Sequence, residues 1–275
     1  MAGVSSESLT AALAALEPTL PNASLQLAKE LFGILGTVDS SAGLRRALTD
    51  PSRTGSEKSA LVTQLFSGKV SADAVQIASG LAGSRWASAR DIGDALETLA
   101  ATVVIAVAEN KSAVSASGIS GLEELENDLF SFNQAVAASH EVQRALSEPQ
   151  ASAAAKITLA GRLVPSASEE AKVLIGQAVA QPRGIKATRL VSRFAELAAK
   201  RQQRWIATVS VTRPLTETQA SRLQQGMNSL YGRELKVNVK VDPMLIGGIR
   251  VQVGDEVLDA SVLSRLNELQ RQLAG

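Results

Sequence analysis

Arg46-Ala47-Leu48-Thr49-Asp50-Pro51 returns later in the chain as Arg144-Ala145-Leu146-Ser147-Glu148-Pro149, and this recurrence decides the fold of most of the molecule. Extended in both directions at the same spacing of 98 residues, residues 27–101 fall ungapped onto 125–199 with 20 identities in 75 positions. Alanine supplies only five of those identities, so an alanine-rich composition does not account for the match. Leu31-Phe32 pairs with Leu129-Phe130, Lys58 with Lys156, and Arg85 with Arg183. Leu99-Ala100-Ala101 pairs with Leu197-Ala198-Ala199. A self-match at fixed period is the signature of a duplicated structural unit.

The duplicated part reads as helix. Forty of the 44 alanines precede residue 200, and alanine is the strongest helix former. Ser24–Val38, Ser40–Leu48, Ser56–Phe66 and Ser71–Ala82 are predicted helices of the first copy, with Pro51 as a stop. A longer helix is predicted from about Trp86 to Ala108, with Ala89, Ile92, Leu96, Leu99 and Val103 on one face. Its counterpart carries Ala187, Leu190, Phe194 and Leu197, and Arg201 interrupts the stripe. With one more helix before residue 20, each copy forms a six-helix bundle, giving domains at 1–110 and 111–205.

Past Arg204 the pattern changes to alternation. Trp205 to Thr212, Leu235 to Val241 and Ile249 to Val253 read as strands, the last ending at Gly254-Asp255. Thr216 can cap a helix with Leu223, Met227 and Leu230 on one face, and Ser261 a last helix with Leu263, Leu266 and Leu269. The expectation for 206–275 is a β-α-β-β-α domain. The whole is mainly α with a small α+β domain at the C-terminus.

Charge separates the two copies. The first long helix bears Asp91, Asp94 and Glu97, while the second region bears Arg183, Lys186, Arg189, Arg193, Lys200, Arg201 and Arg204 against Glu196. A solvated face is one reading. The other is that the copies face different partners, with Arg189 and Arg193 meeting an acidic surface. A nucleic-acid-binding or other adaptor role for the basic face Arg183–Arg204 is the alternative. The interleaved aromatics of single-strand binders are scarce there, with Phe194 on the apolar side and only Trp205 near.

Composition removes much chemistry. The 275 residues carry a formal net charge of +1, 45% apolar residues, one histidine and no cysteine. Disulfides, thiol nucleophiles and cysteine-based metal sites are excluded. The strongest apolar run, Leu99 to Ala108, is about half a bilayer span. No basic and apolar leader opens the chain, so a soluble cytosolic protein is expected. Ser67-Gly68-Lys69-Val70-Ser71 lacks the upstream glycine and the hydroxyl after lysine that a phosphate loop needs. Gly247, Gly248 and Gly254 do not space as a dinucleotide fingerprint. His140 stands at a helix start, and Asp255, Glu256 and Asp259 read as turn carboxylates, not a cation site. No catalytic residue, cofactor or metal is expected.

The stretch Val239 to Val262, containing Asp242-Pro243-Met244-Leu245-Ile246-Gly247-Gly248-Ile249 and then Gly254-Asp255, resembles the C-terminal signature of the F-type ATP synthase delta subunit (oligomycin-sensitivity-conferring protein) family. Arg265-Leu266 and Thr208 to Pro214 extend the resemblance, and the Leu-Pro block, Lys58 and the Arg85 position are similar to the family's helical domain. Asp242, Pro243, Leu245, Ile246, Gly247, Gly248, Gly254, Asp255, Asp259, Ser261 and Arg265 are signature positions with scaffold duties. Gly247-Gly248 suits positive φ, and Asp259 and Ser261 suit a helix start. Ala260 departs from the family's usual glycine. The extra bundle marks a long, actinobacterial-like form. The resemblance implies a non-catalytic stator subunit, peripheral at the cytoplasmic face of the bacterial membrane, with only indirect membrane contact and no nucleic acid. It implies docking of the alpha subunit's N-terminal helix in a groove of one of the two bundles. It also implies binding of the b-subunit stalk by the C-terminal domain, where Val262, Leu266 and Leu269 are candidates.

Overall fold

The computed structural model describes residues 3–111, 121–203, 206–231, 236–242, 245, 248–253 and 256–261. Contacts divide the chain into two compact units, Met1–Ala198 and Ala199–Gly275. The helical elements are α1 Val4–Leu16, a 3-10 turn Glu17–Asn22, α2 Leu25–Ser40, α3 Ala42–Thr49, α4 Gly55–Phe66 and α5 Ala72–Gly83. They continue with α6 Asp91–Asn110, α7 Gly121–Ala137, α8 His140–Ser147, α9 Ala153–Leu163, α10 Glu169–Ala180 and α11 Ala187–Gln203.

Hydroxyl caps set the helix starts. Ser24, Ser41, Thr54, Ser71, Ser139, Ser152 and Ser168 each accept a hydrogen bond from the backbone N–H three residues on. Such caps satisfy donors that the first helical turn leaves open. Glu57 closes the box at Thr54 by accepting from its backbone N–H. The long first-copy helix starts at Asp91, five residues later than Trp86. Trp86 is instead buried in the core, its indole N–H donating to the Leu81 carbonyl, while Ser5 Oγ accepts from Ala87 N. These tertiary bonds hold the segment outside the helix.

The repeat is visible as α2–α6 followed by α7–α11. It is not strictly ungapped. Ser71, Ala74 and Ala78 on α5 correspond in cap and burial to Ser168, Ala171 and Ile175 on α10, which lie 97 residues on. In phase at 98, the buried Ala74 would meet the exposed Lys172, so burial chooses the shorter spacing. One tertiary link is duplicated as well: Glu30 of α2 accepts from Ser71 N and Oγ, and Asp128 of α7 accepts from Ser168 N and Oγ.

The second copy has no separate counterpart of α1 among the described residues. The positions 98 residues beyond α1 begin at Thr102, within α6. Thirteen of the twenty α6 residues are buried, including Leu99, Val103, Val104, Ile105 and Ala106. A helix apolar on all sides needs partners on all sides. α6 packs on α1, α2 and α5 of the first copy and on α7 and α10 of the second. Lys111, just past its end, pairs with buried Glu170 of α10 at 2.6 Å. One continuous core therefore runs from Leu16 to Ala198, where the sequence reading separates two domains at residue 110.

The second unit contains β1 Ile206–Val211, α12 Glu217–Tyr231, β2 Lys236–Val241, β3 Gly248–Val253 and β4 Glu256–Ser261. The sheet order is β2-β1-β3-β4, with β1 and β2 parallel across α12 and the other pairs antiparallel. Ala207, Val209, Val211, Val251 and Val253 pack with Met227 of α12. Leu230, expected on the same buried face, is 67% exposed, and Tyr231 packs in its place. Asp259 and Ser261, expected at a helix start, lie in the fourth strand, because Val253 pairs with Glu256 and the ladder then runs on to Gly248 with Ser261. The expected last helix, with Leu263, lies outside the described residues.

Truncating Ile105 tests the shared core. Ile105→Ala should cost about 2–5 kcal/mol, as for other buried large-to-small changes. Hydrogen exchange should show protection falling in α2 and α10 together. Loss confined to one copy would mean the cores are independent.

Candidate functional site

The charges that distinguish the copies meet each other. Arg183 follows α10, and its side chain is 10% exposed. Its Nε lies 2.5 Å from Asp39 Oδ2, and its Nη1 lies 2.7 Å from Asp94 Oδ1 and 3.5 Å from Glu97 Oε2. Arg90 donates to the Arg183 carbonyl at 2.7 Å. Arg183 has φ 53°, a left-handed conformation that costs a non-glycine residue about 1 kcal/mol, and it is held there by partners from α2 and α6. Gly93 permits the approach: a Cβ there would collide with the Arg183 guanidinium and press on Asp39. Burial alone would lower the Arg183 pKa, but Glu97, Asp39 and Asp94 outweigh it and the net direction is up. At Glu97 burial is the larger influence and raises the carboxyl pKa, against the pull of Arg183 and then Arg193. Glu97 Oε1 accepts no hydrogen bond among the described residues.

This corrects the reading of Arg183 as part of an outward basic face. The acidic surface that it meets is the first copy of its own chain. Its repeat partner Arg85 is exposed, so the identity of the pair conceals opposite environments. Lys186, Arg189, Arg193 and Lys200 are exposed, while Arg201 is buried and Arg204 lies outside the described residues. Phe194 is 1% exposed and Trp205 lies outside the described residues, so no aromatic accompanies the described cations on that face. The nucleic-acid reading loses both its first arginine and its stacking groups.

A groove of about 330 Å³ opens between α1 and α5. Ala11, Ala12 and Ala15 line one side and Gln76, Ile77 and Gly80 the other, with Leu81 and Leu99 at the floor. Small residues on both helices leave this channel. In the second copy the position of α1 falls to buried α6. Glu170 is buried, and Val173 and Gln177 are half-buried, where the equivalent Asp73, Gln76 and Gly80 are exposed. The duplicated sequence thus presents this groove openly once.

In the C-terminal unit, Asp242 N donates to Val211 O at 2.8 Å and Leu245 N to Asp242 O at 3.2 Å, closing the end of β2. Leu245 is buried, and Gly248 has φ +80°, which favours glycine. Asp259 pairs in register with Arg250. Pro243, Ile246, Gly247, Gly254, Asp255, Val262, Arg265, Leu266 and Leu269 lie outside the described residues. His140 is exposed at the first position of α8. Among the described residues no group of three or more His, Cys, Asp or Glu side chains could hold a metal ion, and no helix is long and apolar enough to cross a membrane.

Comparison with known proteins adds three findings. The family described as ATP synthase delta (OSCP) subunit matches residues 111–273, the second helical copy with the C-terminal unit. "ATP synthase subunit delta" of Pseudarthrobacter chlorophenolicus is 86% identical over the full length of both chains. The proteins of the same name from Renibacterium salmoninarum and Thermobifida fusca are 66% and 37% identical, again over the full length of both.

Two outcomes follow from the Arg183 cluster. Arg183→Ala leaves three carboxylates without their shared cation and should cost about 3–5 kcal/mol in urea unfolding, with Asp94→Asn recovering part of the loss in the double variant. Glu97 has a folded-state pKa above its unfolded value, so its contribution is full at low pH and is lost as pH rises through the folded value. Glu97→Gln should therefore gain on the wild type at neutral pH, and the gain should shrink as acid protonates Glu97. A difference independent of pH would contradict the burial of a charged Glu97.

Proposed function

The chain belongs to the ATP synthase delta (OSCP) subunit family, a component of the peripheral stalk of ATP synthase, and we propose that it works there as a non-catalytic stator link. It sits at the cytoplasmic face of the membrane, attached through the complex. One part holds the catalytic head through the N-terminal helix of an alpha subunit. Another holds the b-subunit stalk through the C-terminal unit, with Val262, Leu266 and Leu269 as the candidate contact. Joined in this way, the head cannot turn with the rotor, and proton flow drives ATP synthesis. Torque resistance requires interfaces that do not slip, and burial of an apolar helical stripe over several turns supplies that without chemistry.

The observation that carries this reading is the α1–α5 groove. Its alanine and glycine walls admit a helix at close range, and the corresponding surface of the second copy is covered. We therefore assign the alpha helix to the first copy. The second copy, which together with the C-terminal unit makes up the family match, supplies the junction between them. A shared α6 favours stiffness, because bending between the copies would open a common core. Exposed Arg189 and Arg193 on α11 serve an acidic surface of the stalk.

Filling the groove tests the assignment. Ala15 and Gly80 are exposed on its walls, so Ala15→Leu with Gly80→Leu should fold at least as well as the wild type. Calorimetric titration of an alpha-subunit N-terminal peptide into the full chain should show affinity reduced by at least about tenfold in the double variant. Unchanged affinity would move the alpha site elsewhere. Arg189→Glu with Arg193→Glu should weaken assembly of the stalk while leaving thermal unfolding of the isolated chain unaltered.

A further inference from the structure

The second copy contains a cavity of about 840 Å³ among α7, α8 and the segment that follows α10. In the first copy, the corresponding segment carries Trp86, 8% exposed and packed in the core. Ninety-eight residues on, the tryptophan is replaced by Gly184, which lines the cavity and has φ +81°. The neighbouring lysines differ accordingly. Lys58 is 3% exposed and donates to Ser84 O at 2.9 Å, whereas Lys156 is half-buried and lines the cavity. The space left in the second copy is thus one that the same fold fills with an indole elsewhere in the same chain.

Three features define what would fill it. The walls combine apolar groups such as Val136 and Leu146 with the cations Lys156, Lys186 and Arg189, and no carboxylate lines it among the described residues. Asn133, another lining residue, donates to Thr188 O and Ser192 Oγ, and its buried Oδ1 accepts no hydrogen bond among the described residues. An indole N–H is a donor of the kind it lacks. The volume lies in the range of sites of about 300–1,000 Å³ that take ligands larger than one side chain. Beside it, Phe130 shares the α7 face with Asn133 and Ala137 and is 62% exposed, whereas its repeat partner Phe32 is 6% exposed.

We propose that this cavity is a docking site for an acidic segment of a partner protein, anchored by an aromatic side chain that takes the place Trp86 occupies in the first copy. The carboxylates of the segment meet Lys156, Lys186 and Arg189 at the rim, and its flank covers Phe130. The site is distinct from the α1–α5 groove and does not depend on where the alpha helix binds.

The test uses the full chain and the acetylated, amidated peptide Glu-Asp-Trp-Glu with 5-fluorotryptophan, followed by fluorine NMR and by amide shifts of the protein. Saturable binding is expected, with amide shifts centred on residues 133–147 and 182–192. Replacing the peptide tryptophan by alanine should weaken binding by at least about tenfold, as for an aromatic anchor. Lys186→Glu with Arg189→Glu, both exposed positions, should weaken it about as much. Ser147→Trp, at an exposed position lining the cavity, should erase the difference between the tryptophan and alanine peptides. Far-UV circular dichroism and thermal unfolding of each variant confirm that it folds. The proposal is overturned by absence of saturable binding to the wild type, by equal affinity for both peptides, or by indifference to Ser147→Trp. It is likewise overturned if the amide shifts appear without peptide and grow with protein concentration, which would make the occupant a second copy of this chain.

Discussion

A helix that is apolar around its whole circumference cannot sit at the edge of anything. That constraint on α6 organises the helical unit. Val103, Val104, Ile105 and Ala106 are consecutive and all at most 1% exposed, so no face is left for water. The first copy covers part of this circumference and the second copy the rest. The duplicated gene segment thereby yields one cooperative body, in which a helix that ends one repeat also begins the next. For a link that carries torque, a shared element is stiffer than two domains on a tether, because relative motion would have to expose core surface.

The Arg183 cluster fixes the angle at which the copies meet. Apolar packing tolerates small sliding, whereas a planar guanidinium held by three carboxylates does not. The cost is visible in the structure: Arg183 occupies a left-handed backbone conformation, Gly93 replaces a side chain in mid-helix, and Glu97 is buried with one oxygen lacking a donor. Buried charge of this kind adds little to stability compared with apolar packing, and its contribution here is to geometry.

Duplication also created surfaces that diverged. Phe32 and Phe130 are identical in sequence, yet one is covered and the other stands in solvent. The groove beside α1 is open, and its repeat equivalent is closed. Trp86 fills a space that Gly184 leaves empty. Each pair differs because the first copy has the second packed against it and the second has no third. Asymmetry of this sort lets one repeat take a helix while its sister takes a different partner.

Local order was legible residue by residue. The 98-residue self-match, the hydroxyl caps at Ser24, Ser71 and Thr216, the alternation of Thr208 to Val211 and the Asp242 to Gly248 signature all depend on groups a few residues apart or on direct repetition. The family followed from the same stretches. The last strand was misread because Asp259 and Ser261 look like cap residues until pairing with β3 is known. What tertiary structure alone decided depends on encounters across the chain. Arg183 and Asp39 are 144 residues apart, and Arg183 and Asp94 are 89. The acidic and basic faces were evident in the sequence, but nothing local says that they face each other instead of outside partners. The same holds for α6: its run of apolar residues announced burial, while the identity of the covering helices, and with it the single core, was settled only when both copies competed for the same surface.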